Sequence, residues 1–170
     1  MAKCNSTDSL TVYAEKEAKG LVQKLSSLSL TLALCESCTA GLVSNLLAGV
    51  PGASSVLWGS FVCYTKAAKV SMLDLDSEKL EADGLVSMET ALSMALGAVE
   101  KSGASLAAAV TGLAGPQGDG SNVPVGTVWI ATALRSGVTS AKVFHFTGAR
   151  NIIRIRAAIA VFELINNALT

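Results

Sequence analysis

The sequence predicts an α/β fold, a three-layer α/β/α arrangement around a mixed sheet. Three observations carry that reading. The short continuous apolar runs at 30–36 (LTLALCE) and 106–111 read as strands buried on both faces. The segments around them repeat apolar residues at helical spacing. Late in the chain, 125–134 and 138–146 have strand composition and flank Ser136-Gly137, which reads as an antiparallel hairpin. Buried strands joined through helices, followed by a hairpin, make a mixed sheet between helical layers.

Taken in order, Leu10, Ala14, Ala18, Leu21, Val22 and Leu25 predict a first helix over about 8–25, capped by Ser6 or Thr7. After the first strand, Ser37 and Thr39 offer caps for a helix carrying Leu42, Val43, Leu46 and Leu47, which ends at Gly49-Val50-Pro51-Gly52. A strand over 56–64 follows, then short helices at about 67–73 and 77–82. Ser87 caps a longer helix through Val99, with Ala91, Met94, Ala95 and Ala98 on one face. Residues 112–124 form a glycine-rich loop, and the last helix spans about 149–169. The chain has no internal repeat and no linker, so one domain over 1–170 is expected.

With 170 residues, 51% of them hydrophobic and 15% charged, the chain can bury a core and is not a disordered polymer. Thirteen basic residues balance thirteen acidic ones, which removes any global electrostatic attraction to nucleic acid or an anionic membrane. The richest apolar stretch, 104–116, is too short to span a bilayer, and no apolar segment follows Lys3 as in a secretory signal. Three of the four cysteines, Cys35, Cys38 and Cys63, sit in apolar sequence. They read as reduced, buried thiols of a cytoplasmic protein.

The Cys35-Glu36-Ser37-Cys38 spacing allows a redox pair or half a zinc site, but no second paired spacing supplies further ligands and Cys35 lies inside a strand. Packing thiols are the preferred reading, and no metal is expected. Ser37, at a strand end before a helix, is either an N-cap or a nucleophile whose neighbouring N–H groups, from Cys38 and Thr39, receive an oxyanion. A serine nucleophile needs a base. The single histidine, His145, sits in strand-like sequence and reads as a half-exposed sheet residue, so any hydrolase here runs on lysine.

Lys69 lies among Ala67, Ala68 and Val70. It is either an exposed lysine on an amphipathic helix or a buried one whose lowered pKa suits a base, with Lys66 lowering it further by repulsion. Tyr64 is either a strand-end tyrosine or a group that relays a proton or orients Lys69. The Tyr64–Lys69 spacing and the lack of a G-x-G-x-x-G fingerprint disfavour a nicotinamide oxidoreductase. The 112–120 loop can bring N–H groups to a phosphate or carbonyl, but it lacks the ending of a nucleotide triphosphate loop. Arg150 stands at a helix start, where an anion between it and the N–H groups would relieve the conflict with the dipole. Solvated arginine is the alternative.

The ordered series ESCTAG (36–41), YTKAAK (64–69), GLVS (84–87), TGLAGPQGDG (111–120), PVGTVW (124–129) and FTGAR (146–150) resembles the CinA C-terminal domain family, which includes bacterial nicotinamide-nucleotide amidases. The resemblance runs from about Leu30 to the C-terminus, and the sequence looks like the stand-alone form. It implies hydrolysis of nicotinamide mononucleotide to nicotinate mononucleotide and ammonia in the pyridine nucleotide cycle, without a cofactor. Ser37 would be the nucleophile, Lys69 its base and Tyr64 a supporting hydrogen-bonding residue. Glu36, Cys38, Thr39, Thr111, Gly112, Gly115 and Arg150 would bind substrate. The resemblance also implies homo-oligomers, with Trp58 or Phe61 on an apolar face. Ala40, Val123 and Ala149 stand where the family commonly has glycine, lysine and aspartate, and Thr65-Lys66-Ala67 replaces a more typical Ser-Asn-Glu. The changes at Ala40, Val123 and Ala149 motivate one alternative, a pyridine-nucleotide-binding homologue with weak or no turnover, and the high apolar fraction motivates another, an oligomeric partner protein. The methyl of Ala40 in particular is expected to crowd the ligand.

Overall fold

The computed structural model describes residues 6–169. Cys4 and the leading MAKCN lie outside them. Six helices and five strands follow in the order α1 (Thr7–Ser27), β1 (Leu32–Glu36), α2 (Leu42–Ala48), β2 (Leu57–Val62), α3 (Lys66–Leu73), α4 (Ser77–Asp83), α5 (Met88–Ser102), β3 (Leu106–Gly112), β4 (Thr127–Leu134), β5 (Thr139–His145) and α6 (Arg150–Ala168).

The strands form one sheet in the order β2-β1-β3-β4-β5. The first three are parallel, and β4 and β5 are antiparallel to their neighbours. The sheet is therefore mixed, as the two sequence patterns predict. Strand alternation sorts its side chains into two cores. Leu32, Leu34, Val110, Val128 and Ile130 pack with α1, α2 and α6. Ala33, Cys35, Ala107, Ala109, Ala131 and Ala133 face α3 and α5. Alanines on that second face let α5 lie close. Its Gly97 comes so near α3 that a Cβ there would meet the Leu73 carbonyl at 3.1 Å.

Local chemistry sets most helix starts. Ser6, Thr65, Asp76 and Ser87 each accept backbone N–H bonds as N-caps of α1, α3, α4 and α5. The start of α2 differs from the sequence expectation. Its cap residue is Gly41 at φ 89°, not Ser37 or Thr39, and it provides no side-chain acceptor. Acceptance comes from Glu36, in the preceding strand, whose carboxylate receives Val43 N–H at 3.1 Å and Ser44 N–H at 2.8 Å. Ala149 caps α6 without a side-chain bond. At the free edge of β2, a register shift opposite Leu32/Ala33 marks a bulge, and the half-exposed Trp58 stacks on Phe61 with ring centroids 5.5 Å apart.

The chain leaves β1 through α2 on one face and leaves β2 through α3 to α5 on the other. The carboxyl ends of β1 to β3 thus border a crevice where connections diverge, the usual ligand position in open α/β sheets. None of the described helices is long and apolar enough to cross a membrane.

Two glycines test the packing account. A Cβ on Gly126, at φ 93°, would lie 1.9 Å from the Phe146 carbonyl oxygen, which seals the end of the β4–β5 hairpin. Gly126→Ala is expected to cost about 3 kcal/mol or more in urea unfolding. Gly20, on the exposed side of α1 with open space around it, should gain about 0.5–1 kcal/mol on change to alanine, from helix propensity alone.

A candidate active site around Ser37 and Lys69

Ser37 follows directly on β1, and its backbone is fixed on one side by its N–H, which donates to the Val110 carbonyl of β3 at 3.0 Å. Lys69 comes from α3, which starts beyond β2 with Thr65 as cap. The two side chains meet: Lys69 Nζ lies 3.0 Å from Ser37 Oγ and donates to the Cys63 carbonyl at 2.8 Å. Lys69 is 1% exposed and Ser37 8% exposed. Of the two sequence readings for each, the structure places Lys69 in the interior and leaves Ser37 uninvolved in capping α2.

Burial pushes the Lys69 ammonium below its ordinary value of 10.5, with Cys35, Cys63 and Cys38 pulling the other way. Lys66 plays no part in that shift. It pairs instead with Glu81 of α4, so the expected lowering by burial is found and the expected further lowering by Lys66 is not.

The pair opens into a cleft of about 250 Å³ that Cys38, Tyr64, Leu85, Val86, Thr111, Gly112, Leu113, Ala114, Gly115, Gln117, Gly118, Asp119 and Arg150 also line. Arg150 donates to the Gly115 carbonyl and, at 2.8 Å, to the Tyr64 hydroxyl. Tyr64 is therefore held by Arg150; Lys69 is oriented by the Cys63 carbonyl rather than by Tyr64. Thr111 Oγ1 donates to the Leu85 carbonyl at 2.7 Å and so fastens the 84–87 segment as a cleft wall. Cys38 lines this cleft, and its N–H donates to no backbone carbonyl among the described residues.

Two expected binding residues do not line the cleft. Glu36 is fully buried on the opposite face of β1, and besides the α2 N–H groups it accepts from Ser44 Oγ at 2.9 Å and Ser60 Oγ at 3.4 Å. Thr39 is fully buried, its Oγ1 has no partner among the described residues, and its carbonyl accepts from Arg154 at 2.7 Å. Ala40, exposed at φ 49°, also stands outside the cleft lining, so its methyl does not crowd a ligand there. Val123 and Ala149 are absent from the lining too. Sequence reasoning missed Leu85 and Val86, although the GLVS motif that carries them was among the ordered signals.

The C-x-x-C spacing does not make a pair. Cys35 meets Cys63: their hydrogen bond, with burial, raises the Cys35 thiol well above its usual value, and the same bond lowers that of Cys63 against the effect of burial. Cys38 is pushed up to about 12 by burial, which makes it a packing thiol. No group of three or more His, Cys, Asp or Glu among the described residues could hold a metal ion. His145 lies in β5, 3.3 Å from Thr127 through Nδ1, and is no part of the cleft. A wider groove of about 960 Å³ between α1 and α2, bordered by Glu15, Lys19 and Asn45, contains no nucleophile–base pair.

The family model described as the CinA C-terminal domain matches residues 14–169. A CinA-like protein of Geobacter metallireducens is 43% identical over 140 residues, covering 82% of this chain and 34% of that protein. One from Fervidobacterium nodosum is 37% identical over 162 residues, covering 94% of this chain and 40% of that protein. The chain thus spans between a third and two fifths of these relatives. Among solved structures, the competence/damage inducible protein CihA from Agrobacterium tumefaciens is 35% identical, with a TM-score of 0.87 and 99% of each chain covered. A CinA superfamily protein from Escherichia coli is 29% identical, with a TM-score of 0.85, covering 99% of this chain and 93% of that one.

The buried lysine has a measurable consequence. Between its depressed folded pKa and 10.5, Lys69 binds more protons in the unfolded chain, so it makes stability rise with pH across that window. Lys69→Met lacks this dependence. The stability of the wild type relative to Lys69→Met, from urea unfolding, should increase as pH rises toward 10.5.

Proposed function

The chain belongs to the CinA C-terminal domain family, and from that premise we propose that it is an amidohydrolase that converts nicotinamide mononucleotide to nicotinate mononucleotide and ammonia. The observation that carries the reading is the buried Ser37–Lys69 contact at 3.0 Å, open to a cleft. A serine becomes a nucleophile when a neighbouring base takes its proton, and a desolvated lysine is such a base.

In the neutral amine, one N–H of Lys69 stays on the Cys63 carbonyl and the lone pair accepts the Ser37 hydroxyl. Ser37 Oγ attacks the carboxamide carbon as its proton passes to Nζ. The carbonyl oxygen gains the negative charge and takes the Cys38 N–H as a donor. As the tetrahedral intermediate collapses, the C–N bond breaks and Nζ returns the proton to nitrogen, which leaves as ammonia. Water then attacks the Ser37 ester, giving its proton to Nζ. The ester C–O bond breaks, Ser37 regains a proton and the carboxylate departs.

Substrate size and charge fit the same cleft. About 250 Å³ is below the usual range for whole-ligand sites and suits the flat carboxamide ring, against Leu85 and Val86, with the ribose phosphate toward the mouth. Arg150 spends two of its five N–H donors on Gly115 and Tyr64, and the remaining three can hold a phosphate. Because the departures at Ala40, Val123 and Ala149 fall outside the cleft lining, they give no reason to prefer a homologue without turnover.

Purified protein given nicotinamide mononucleotide should release ammonia, and Ser37→Ala and Lys69→Ala should each lower kcat by about 10³-fold or more. Near wild-type turnover in both would overturn the reading. In the wild type, kcat/KM should rise with pH and level off on the acid side of 10.5, because burial lowers the Lys69 pKa.

A further inference from the structure

The backbone of Ser37 is tied to both neighbouring strands, since its own N–H bonds Val110 and the Glu36 carbonyl accepts Cys63 N–H at 2.8 Å. The loop that continues from it, 38–41, has no such ladder. It turns through two left-handed residues, Ala40 at φ 49° and Gly41 at φ 89°, and an alanine there costs about 1–2 kcal/mol. Its own turn bonds run from Ala40 N–H to the Ser37 carbonyl at 3.1 Å and from Leu42 N–H to the Thr39 carbonyl at 3.2 Å, and side chains from outside the loop add to that hold.

Two groups do so from opposite ends. Glu36, immediately before Ser37, closes a ring with the first turn of α2. Its Oε1 accepts Ser44 N–H at 2.8 Å and Ser44 Oγ at 2.9 Å, while Oε2 accepts Val43 N–H at 3.1 Å. Arg154, half-buried on α6, reaches the middle of the loop and donates to the Thr39 carbonyl at 2.7 Å. Neither side chain lines the cleft, and neither contacts Lys69. Both bonds depend on the charged form's donor or acceptor pattern. A carboxylate only accepts, so it can face the N–H groups of Val43 and Ser44 together, whereas glutamine would turn an NH₂ against one of them.

We propose that Glu36 and Arg154 are positioning residues that clamp the 37–41 loop, and so hold the Ser37 hydroxyl and the Cys38 N–H in register with Lys69. The catalytic side of this rests on the amidase reading above; the mechanical side does not. Preorganisation of this kind acts on the chemical step, because displacing a reacting group by about 1 Å costs on the order of 100-fold.

The test compares Glu36→Gln, Arg154→Met and Arg154→Lys with wild type and with Ser37→Ala. Two readouts are taken: kcat and KM for ammonia release from nicotinamide mononucleotide, and hydrogen exchange of the peptide over 37–44. Glu36→Gln and Arg154→Met should exchange faster over 37–44 and lose about 10- to 100-fold in kcat with KM changed by no more than about two-fold. Arg154→Lys, which keeps a donor and the charge, should recover most of that kcat. Should Glu36→Gln not fold, Arg154→Met decides alone. Folded variants with wild-type exchange over 37–44 overturn the clamp, as does faster exchange with kcat within about two-fold of wild type. If wild type releases no ammonia, or Ser37→Ala equals it, the amidase reading fails, and the exchange readout alone upholds or overturns the clamp.

Discussion

The structure turns on a lysine taken out of water. An isolated ammonium is too costly to bury, and such a group either finds acceptors or gives up its proton. Lys69 does the first and is inclined to the second: the Cys63 carbonyl and Ser37 hydroxyl receive it, and the apolar wall around it lowers its pKa. Cys35, Cys38 and Cys63 stand around the amine, and α3, which carries it, lies against α5 where Gly97 presents no Cβ to Leu73. The alanines of β1, β3 and β4 then draw α5 onto the sheet. Packing on one face of the sheet thus prepares the acid–base state of one side chain.

Strand alternation divides the labour between the faces. Glu36 and Ser37 are adjacent in sequence, yet one points to the α2 side and the other meets the lysine from the α3 side. A single peptide at the end of β1 therefore links the carboxylate that receives α2 to the hydroxyl that meets Lys69. The ladder on both sides, to Cys63 and to Val110, makes that link stiff. An edge strand would offer only one such ladder, so the central place of β1 is part of the site's construction.

What the sequence made legible follows from how local each interaction is. The caps at Ser6 and Ser87 involve residues three positions away, and the buried strands show as unbroken apolar runs, so these elements could be read directly. The meeting of Ser37 and Lys69 spans 32 positions and was reachable only through the ordered motifs. Other features depended on contacts that no local pattern carries. Lys66 was assigned to repel Lys69, but Glu81, on the next helix, takes it up. The resemblance implies substrate binding for Glu36 and Thr39, and no local pattern shows the contacts they make in the fold. Val43 and Ser44 of α2 fold back over the Glu36 carboxylate. The Thr39 carbonyl accepts from Arg154 of the last helix.

The departures from the family's usual residues acquire a consistent meaning on this scaffold. Ala40 pays a backbone strain in an exposed turn, and Ala149 leaves the first N–H groups of α6 without a side-chain acceptor. Val123 sits in the loop outside the cleft lining, its N–H bound to Ser121 Oγ at 3.2 Å. All three stand outside the cleft lining, whereas Ser37, Tyr64, Lys69, Thr111 and Arg150 belong to it. A strained Ala40 can be tolerated only where the loop's ends are held, and the structure holds them through Glu36 and Arg154. The framework absorbs the substitutions, and the Ser37–Lys69 contact is left open to the cleft.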